Sequence, residues 1–389
     1  MSLASCFIEP LDVLFLRGNK LFGDPGSYGE SLVPPWPSVA AGALRSRILA
    51  DDKVDLAAFV QDEIVHPSLG TPTTPGSFAV ATFHLARRFA DGRVELLVAP
   101  PADLVIAENE GKPSVRRLHA TTLDTSLQAS SHLPLLPVLA ETERGKPAGG
   151  YWLSQAGWQK YLQGEAPAAT DLLTSSQLWA IDHRVGVGLD AHQRRAADGK
   201  LFTVQAVSMV QAQHTDAGFD VGFVASVSGA ELPTDGSLRL GGDGRAAALH
   251  VCDNSFPTAD YAAIAEAGRG RIVLTTPGIF GDGWCLPGVD SEGDSNGRFE
   301  LAGVRGRLVC AAVPRFETVS GWDLAANKGR GQPKPAQRVA PTGSVYWLDE
   351  LDATPEALGK LAAAGLWGEP CEDSARRAEG FNRFTFAAY

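Results

Sequence analysis

A mixed α+β fold built from two ferredoxin-like βαββαβ units is the class this sequence predicts, and three observations lead to it. A strand, a helix and a β-hairpin follow one another at the start of the chain, the order in which such a unit begins. Strands and helices then recur in the later half in a variant of that order, and no short solenoid period competes with this twofold repetition. Finally, 42 glycines and 25 prolines make up 67 of 389 residues, roughly 17% against about 12% in average usage, which favours many turns over long helices. Length at about 150 residues per domain allows two to three domains. The expected division is an N-terminal unit at 1–180 carrying an irregular insertion, and a C-terminal unit at 181–389 carrying a mobile basic loop at 320–341.

Cys6 to Leu16 reads as a strand, followed by a glycine-rich loop from Gly18 to Gly29 and a proline cluster at Pro34, Pro35 and Pro37. Ser38 stands in N-cap position for a helix in which Val39, Ala43, Leu44 and Ile48 recur at helical spacing until Asp51 and Asp52. Phe78 to Phe89 and Val94 to Ile106 alternate, and Asp91-Gly92 between them is a hairpin turn signal. From about 109 to 180, Pro134, Pro137, Pro147 and Gly149-Gly150 break any periodicity, so an insertion is expected. Strands resume at Leu201 to Met209, Phe219 to Val227 and Ala246 to Val251. A helix at Ala259 to Ala267 and a strand at Arg271 to Thr276 follow, then strands at Leu308 to Val313 and Ser344 to Leu348. Thr354 caps a last helix, with Pro355 at its first position and Glu356 at the positive dipole end, and Phe381 to Tyr389 alternates well enough for a final strand.

Composition excludes several classes. With 44% hydrophobic and 20% charged residues, wholesale disorder, collagen and coiled coil drop out. A formal net charge of -11 on average repels polyanions and, taken alone, argues against nucleic acid. Cys6, Cys252, Cys285, Cys310 and Cys371 are scattered and form no C-x-x-C, so neither a disulfide framework nor a structural zinc site is indicated and a reducing cytoplasm fits best. Glu9 and Asp12 interrupt the apolar N-terminal segment and no basic region precedes it, so no signal peptide is expected. No apolar run approaches the ~20 residues needed to span a bilayer.

An active site does not assemble from the motifs. His183 and His192 stand on a glycine-broken stretch, and neither H-x-x-H nor H-E-x-x-H occurs. Gly241-Gly242-Asp243-Gly244 is similar to the Gly-Gly-Asp-Asp turn of polymerase and cyclase palms but lacks the second carboxylate that a two-metal site needs, so Asp243 reads as a turn residue. No phosphate-binding loop of the form G-x-x-x-x-G-K-[ST] is present. No cofactor, metal or catalytic residue is expected. Positive charge, by contrast, is grouped. Lys328, Arg330, Lys334 and Arg338 follow Trp322 on a backbone too rich in glycine and proline to pack; such an arm neutralises phosphates and offers an indole for stacking. Arg184, Arg194, Arg195 and Lys200 surround Gly186-Val187-Gly188, and Arg17 and Lys20 lead toward Arg45 and Arg47. Three such groups in a chain that is acidic elsewhere suggest a segregated positive surface for RNA or DNA.

Several blocks together resemble one family. Ile8 to Asp12 leading to Phe15-Leu16-Arg17-Gly18, then Pro34-Pro35-Trp36-Pro37-Ser38 with Gly42 to Ser46, resembles the N-terminal signature of the third subunit of the Cmr module, in the RAMP superfamily of type III-B CRISPR effector complexes. His183 to Leu189 with Gly199 to Phe202, Leu240 to Arg245, Leu274 to Pro277 with Gly283-Trp284, and Pro341 to Tyr346 are similar to later blocks in the correct order. Gly380-Phe381-Asn382-Arg383 keeps only the start of the glycine-rich C-terminal loop of that superfamily. The resemblance implies two RRM-like units in a non-catalytic, cytoplasmic protein, free of the membrane, that binds the 5′ repeat-derived tag of CRISPR RNA. It would sit beside the large polymerase-like subunit and the backbone RAMP subunit in antiviral defence. The residues expected at the RNA are Arg17, Lys20, Arg45, Arg47, Arg184, Arg194, Arg245, Lys328, Arg330 and Lys334 for phosphates, and Trp36 and Trp322 for stacking. Two alternatives stand beside this reading: a RAMP endoribonuclease that matures CRISPR RNA with His183 or His192 as general base, and a protein-binding spacer suggested by the net acidity.

Overall fold

The structure, a computed structural model, describes residues 3–18, 28–122, 131–141, 146–190, 192–253, 256–290, 297–323 and 326–389. It is α+β, with mostly antiparallel sheets and few helices. Two compact units are each assembled from three stretches: Met1–Val94, Ser175–Asn254 and Thr318–Gln337 form one, and Glu95–Thr174, Ser255–Glu317 and Arg338–Tyr389 form the other. A division at residue 180 falls inside the strand Trp179–Asp190, and most of the stretch expected as an insertion in the first unit belongs to the second.

In the first unit lie five neighbouring strands of a six-stranded sheet, in the order Ser237–Arg239, Ala246–Val251, Ala4–Pro10, Phe219–Ser228, Ala79–Phe89. Numbered along the chain, its four central strands lie in the order fourth, first, third, second, each antiparallel to its neighbour. The register sets Phe7 opposite Val224 and Ile8 opposite Phe223, all four fully buried. The helix Pro37–Asp51 joins the first strand to the second and buries Ala40, Ala41, Leu44 and Ile48, a spacing of three to four residues that keeps them on one stripe. Its cap corrects the sequence reading. Trp36, not Ser38, is the N-cap, with no side-chain cap bond, because Pro37 occupies the first helical position, where its missing N–H is not needed.

The expected strand Cys6 to Leu16 ends at Pro10. Leu14 then exchanges both backbone hydrogen bonds, 2.8 Å each, with Val207, so the chain passes from the first sheet to a second one. Of that sheet the sequence reading found only the strand Leu201 to Met209. Trp179–Asp190 and Arg195–Met209 form one long antiparallel hairpin, joined in parallel by Tyr28–Gly29. The basic stretch expected as a mobile loop also carries structure: Trp322–Asp323 pairs with Gln332–Pro333 around a short helix, Ala326–Gly329.

The second unit has a five-stranded sheet, Arg298–Leu301, Val304–Ala312, Val345–Asp352, Gly270–Leu274, Phe384–Ala387. Counting along the chain from Gly270–Leu274, the four later members run second, third, first, fourth, which is the arrangement of the first unit read from the other edge. Here the helix Pro355–Ala364 joins the third strand to the fourth, and it begins where expected: the Thr354 hydroxyl accepts the Ala357 N–H at 3.2 Å. Leu358 and Leu361 are buried, and a second helix, Tyr261–Ala267, capped by Asp260, adds Ile264 to the same core.

The expected strand Val94 to Ile106 is split at Pro100-Pro101 into Val94–Leu97 and Leu104–Asn109, and the latter pairs with Lys112–Arg117. Between the two pieces lies Asp103, fully buried, which accepts bonds from the equally buried Arg271 and, at 2.8 Å, from the Tyr161 hydroxyl. Arg271 also donates to the Ala388 carbonyl at 2.6 Å and lies 4.4 Å from the Tyr161 ring centroid. Burial pushes the Tyr161 hydroxyl well above its ordinary pKa. The network ties the 95–174 stretch to the core sheet of its own unit.

The C-terminal turn holds two residues with positive φ. Gly380 and Asn382 have φ of 92° and 58°, a backbone that Asn tolerates better than most residues. Asn382 is buried and donates to the Leu366 carbonyl at 2.7 Å, while Arg383 points inward to the Ala363 carbonyl, and burial pulls its guanidinium down to about 10. Among the described residues no helix is long and apolar enough to cross a membrane.

Candidate nucleic-acid interface

Three of the arginines singled out from the sequence meet around one ring in the first unit. Phe15 is buried, at 6% exposure, with the Arg245 guanidinium 5.1 Å and the Arg184 guanidinium 6.0 Å from its centroid. Arg17 reaches the same place through a turn: the Gly242 N–H donates to the Phe15 carbonyl at 2.9 Å, and Asp243 in that turn pairs with Arg17 at 3.3 Å. The turn needs its glycine. Gly241 has φ of 74°, and a Cβ there would stand 2.8 Å from the Phe15 carbonyl oxygen. Asp243 is a turn residue, as expected, with φ of 58°.

Each of the three guanidinia is matched by a carboxylate. Arg245 pairs with Asp12 at 2.5 Å, Arg184 with Asp182 at 2.8 Å and Arg17 with Asp243. All three carboxylates are at least half exposed, and exposed ion pairs of this kind contribute about 0–1 kcal/mol. They orient the arginines and compete with an incoming anion, and a phosphate, which presents the same bidentate geometry with more charge, can take their place.

The long hairpin supplies Arg184. Even-numbered residues from Asp182 to Gly188 face the unit, and Val204 and Ala206 of the partner strand pack with Phe15. Odd-numbered residues face out: Val185, Val187 and Leu189 are exposed, as is Leu201 opposite Val187. Gly186 and Gly188 serve the ladder and not a loop. A Cβ on Gly186 would lie 2.4 Å from the Phe202 ring directly across the hairpin, and one on Gly188 would lie 2.9 Å from Lys200. Ser31 clamps the base of the hairpin, donating its hydroxyl to the Gln205 carbonyl at 2.7 Å and its N–H to the Gln205 side chain at 2.9 Å.

The other expected residues are distributed. Arg194 is exposed at the tip of the hairpin, with φ of 51° and its N–H donated to the Asp190 carbonyl at 2.8 Å. Arg47 binds Asp51 at 2.8 Å and the Ser237 carbonyl at 2.7 Å, joining the helix to the edge strand of the first sheet. Arg45 lies 5.0 Å from the Phe78 ring centroid. Neither of these contacts belongs to the Phe15 group. Trp36 is half-buried at the start of the helix, and its indole N–H has no hydrogen-bond partner among the described residues. Trp322 is 55% exposed, its indole lying against Gly331, and Arg330 is exposed on the same short hairpin, where the Lys334 N–H bonds the Gly321 carbonyl at 2.9 Å. Lys20 and the side chain of Lys328 lie outside the described residues.

Sequence reasoning missed Phe15 itself, the three carboxylates and the hairpin. The hairpin had a readable signal, the alternation of Ile181, His183, Val185, Val187 and Leu189; the intervening glycines disguised it as a loop. His183 and His192 are both exposed, the first on the outer face of the hairpin and the second in its turn. Among the described residues no group of three or more His, Cys, Asp or Glu side chains is placed to hold a metal ion.

A family model described as CRISPR-associated protein (Cas_Cmr3) matches residues 6–386. Two solved structures are similar to the chain. One is described as a cryo-EM structure of the type III-B Cmr-beta bound to cognate target RNA and AMPPnP, state 1, with a TM-score of 0.42 and 14% identity over 92% of this chain and 88% of that chain. The other, of the type III-B Cmr-beta bound to cognate target RNA, has a TM-score of 0.41 and 14% identity over 88% and 86%. No curated protein matches.

Proposed function

This chain belongs to the Cas_Cmr3 family of CRISPR-associated proteins, and from that premise we propose that it is a non-catalytic RNA-binding subunit of a type III-B effector complex. Its role is to anchor the 5′ repeat-derived tag of CRISPR RNA at the base of the complex, beside the large polymerase-like subunit and the backbone RAMP subunit, in the cytoplasm. Both units are then RRM-like, ferredoxin-like folds in which one of the two crossover helices has been lost. That Arg17, Arg184 and Arg245 converge on Phe15 and the Gly241–Gly244 turn is the observation that carries the reading.

Single-stranded RNA is held by clamps on its sugar-phosphate chain and by stacking of splayed bases. The three guanidinia supply the clamp, and Arg194, Arg330 and Lys334 extend the positive track, with Trp322 or Trp36 as stacking surfaces. Because Asp12, Asp182 and Asp243 already occupy the guanidinia, and the chain as a whole carries -11, the isolated subunit binds RNA weakly and the assembled complex binds it well.

The test is the double charge reversal Arg184→Glu with Arg245→Glu in the assembled complex. Losing two phosphate contacts flattens the dependence of log affinity on log salt by about two units. An unchanged affinity and salt slope would sink the placement.

A further inference from the structure

We propose that an apolar cleft in the second unit is a docking site for a different polypeptide, one that inserts a large apolar side chain and sets a carboxylate beside it. The inference does not rest on the RNA reading of the first unit. The cleft encloses about 570 Å³ between walls made by Leu133, Leu135, Val313 and Val339. One wall is pinned to the sheet, since the Leu135 N–H donates to the Val309 carbonyl at 3.0 Å. At the rim stand Trp284 and Phe316, 45% and 50% exposed, and the loop bearing Trp284 is held by the Tyr346 hydroxyl, which donates to the Trp284 carbonyl at 2.7 Å.

Charge decides the occupant. Arg338 is the single charged side chain among the described residues lining the cleft. Its guanidinium lies 4.8 Å from the Phe316 ring centroid and has no ion-pair partner among the described residues. The Trp284 indole N–H likewise makes no hydrogen bond among them. Two open donors therefore flank a largely apolar pocket, in contrast to the Phe15 group, where every arginine has its own acid. Exposed tryptophan and arginine beside a pocket are the residue types that dominate protein interfaces once covered, and a carboxylate on the partner satisfies the guanidinium. A nucleobase fits this chemistry poorly, because aliphatic walls offer no edge-reading groups and one guanidinium does not follow a phosphate chain.

The test uses the full chain, made in its own cells with the photoreactive residue p-benzoylphenylalanine in place of Phe316, and in a control in place of the exposed Leu56. Irradiation and mass spectrometry then identify the residue captured. The expected product joins position 316, and not position 56, to a segment of another polypeptide in which an apolar residue adjoins Asp or Glu. Arg338→Glu lowers its yield at least roughly tenfold, and changing the partner's acid to Lys restores it. Trp284→Ala, a second variant, lowers the yield without touching charge. Capture of RNA, capture of a second copy of this chain, or no product above the control would each overturn the proposal.

Discussion

The two units share one strand order and differ in which connection carries a long helix. The first retains the helix between its first and second strands, Pro37–Asp51, and joins its third strand to its fourth through residues 229–245 without a helix of that length. The second retains the helix between its third and fourth strands, Pro355–Ala364, and joins its first to its second through residues 275–303, in which no helix lies among the described residues. Each helix-free connection contributes to a candidate site. Gly241 to Arg245 lies on one such connection and Trp284 on the other. The two connections differ in chemistry: one carries Arg245, paired with Asp12 beside the Phe15 ring, and the other carries Trp284 at the rim of an apolar cleft.

Ion pairs offer the largest contrast between the units. Asp103→Ala in the second unit leaves Arg271 buried without its anion, at a cost of about 3–5 kcal/mol, whereas Asp12→Ala in the first removes an exposed partner and costs about 1 kcal/mol or less. Denaturant unfolding of the two variants measures the gap, and equal losses would erase the distinction. Gly241→Ala comes next, at roughly 1–3 kcal/mol for a strained backbone pressed against the Phe15 carbonyl; Gly244→Ala, with φ of 65° but open space around it, costs less.

The next contrast is with pH. His84, on the first sheet, is held by burial down to about 4. Its folded value lies below its unfolded one, so the unfolded chain takes up the proton first. Stability is therefore complete above about 6.5 and falls as pH drops toward 4, by up to about 1.4 kcal/mol per unit. His84→Gln removes that portion of the pH dependence, and an unchanged slope between pH 7 and 5 would show that the imidazole is not buried in solution. The smallest effect separates the two helix starts. Thr354→Ala loses a cap bond, about 1 kcal/mol, while Ser38→Ala, at a position with no cap bond, stays within about 0.5 kcal/mol.

These two caps also show what could be read from the sequence. Thr354-Pro355-Glu356 spelled out a helix start correctly because every signal there is local. Ser38 carried the same local signal, and Pro37 overrode it by taking the first helical position one residue earlier. Periodicity located most strands of both main sheets but not the edge strands Ser237–Arg239 and Arg298–Leu301, and Pro100-Pro101 cut one expected strand in two. At 186 and 188 the glycines looked like breakers, although they make room for Phe202 and Lys200 across a continuous ladder. For the site, residue type was informative and grouping was not. Arg17, Arg184 and Arg245 were each chosen for charge, but their meeting point is Phe15, and Arg184 and Arg245 reach it from distant parts of the chain. Arg47 was chosen on the same grounds and is engaged by Asp51 and Ser237. Charge marks candidates; only the fold tells a guanidinium held at the surface by an exchangeable acid from one tying two elements together.

In the function proposed here, the Phe15 arginines are an RNA clamp held closed by their own carboxylates. The most direct measurement is the affinity of the isolated chain for a single-stranded tag RNA after Asp12→Asn, Asp182→Asn and Asp243→Asn together. The control removes three exposed acids elsewhere by Glu63→Gln, Asp216→Asn and Asp235→Asn. The expected result is a gain of at least roughly tenfold over the control, with a steeper salt dependence, an outcome that misfolding does not produce. Equal affinity of the two triple variants would contradict it.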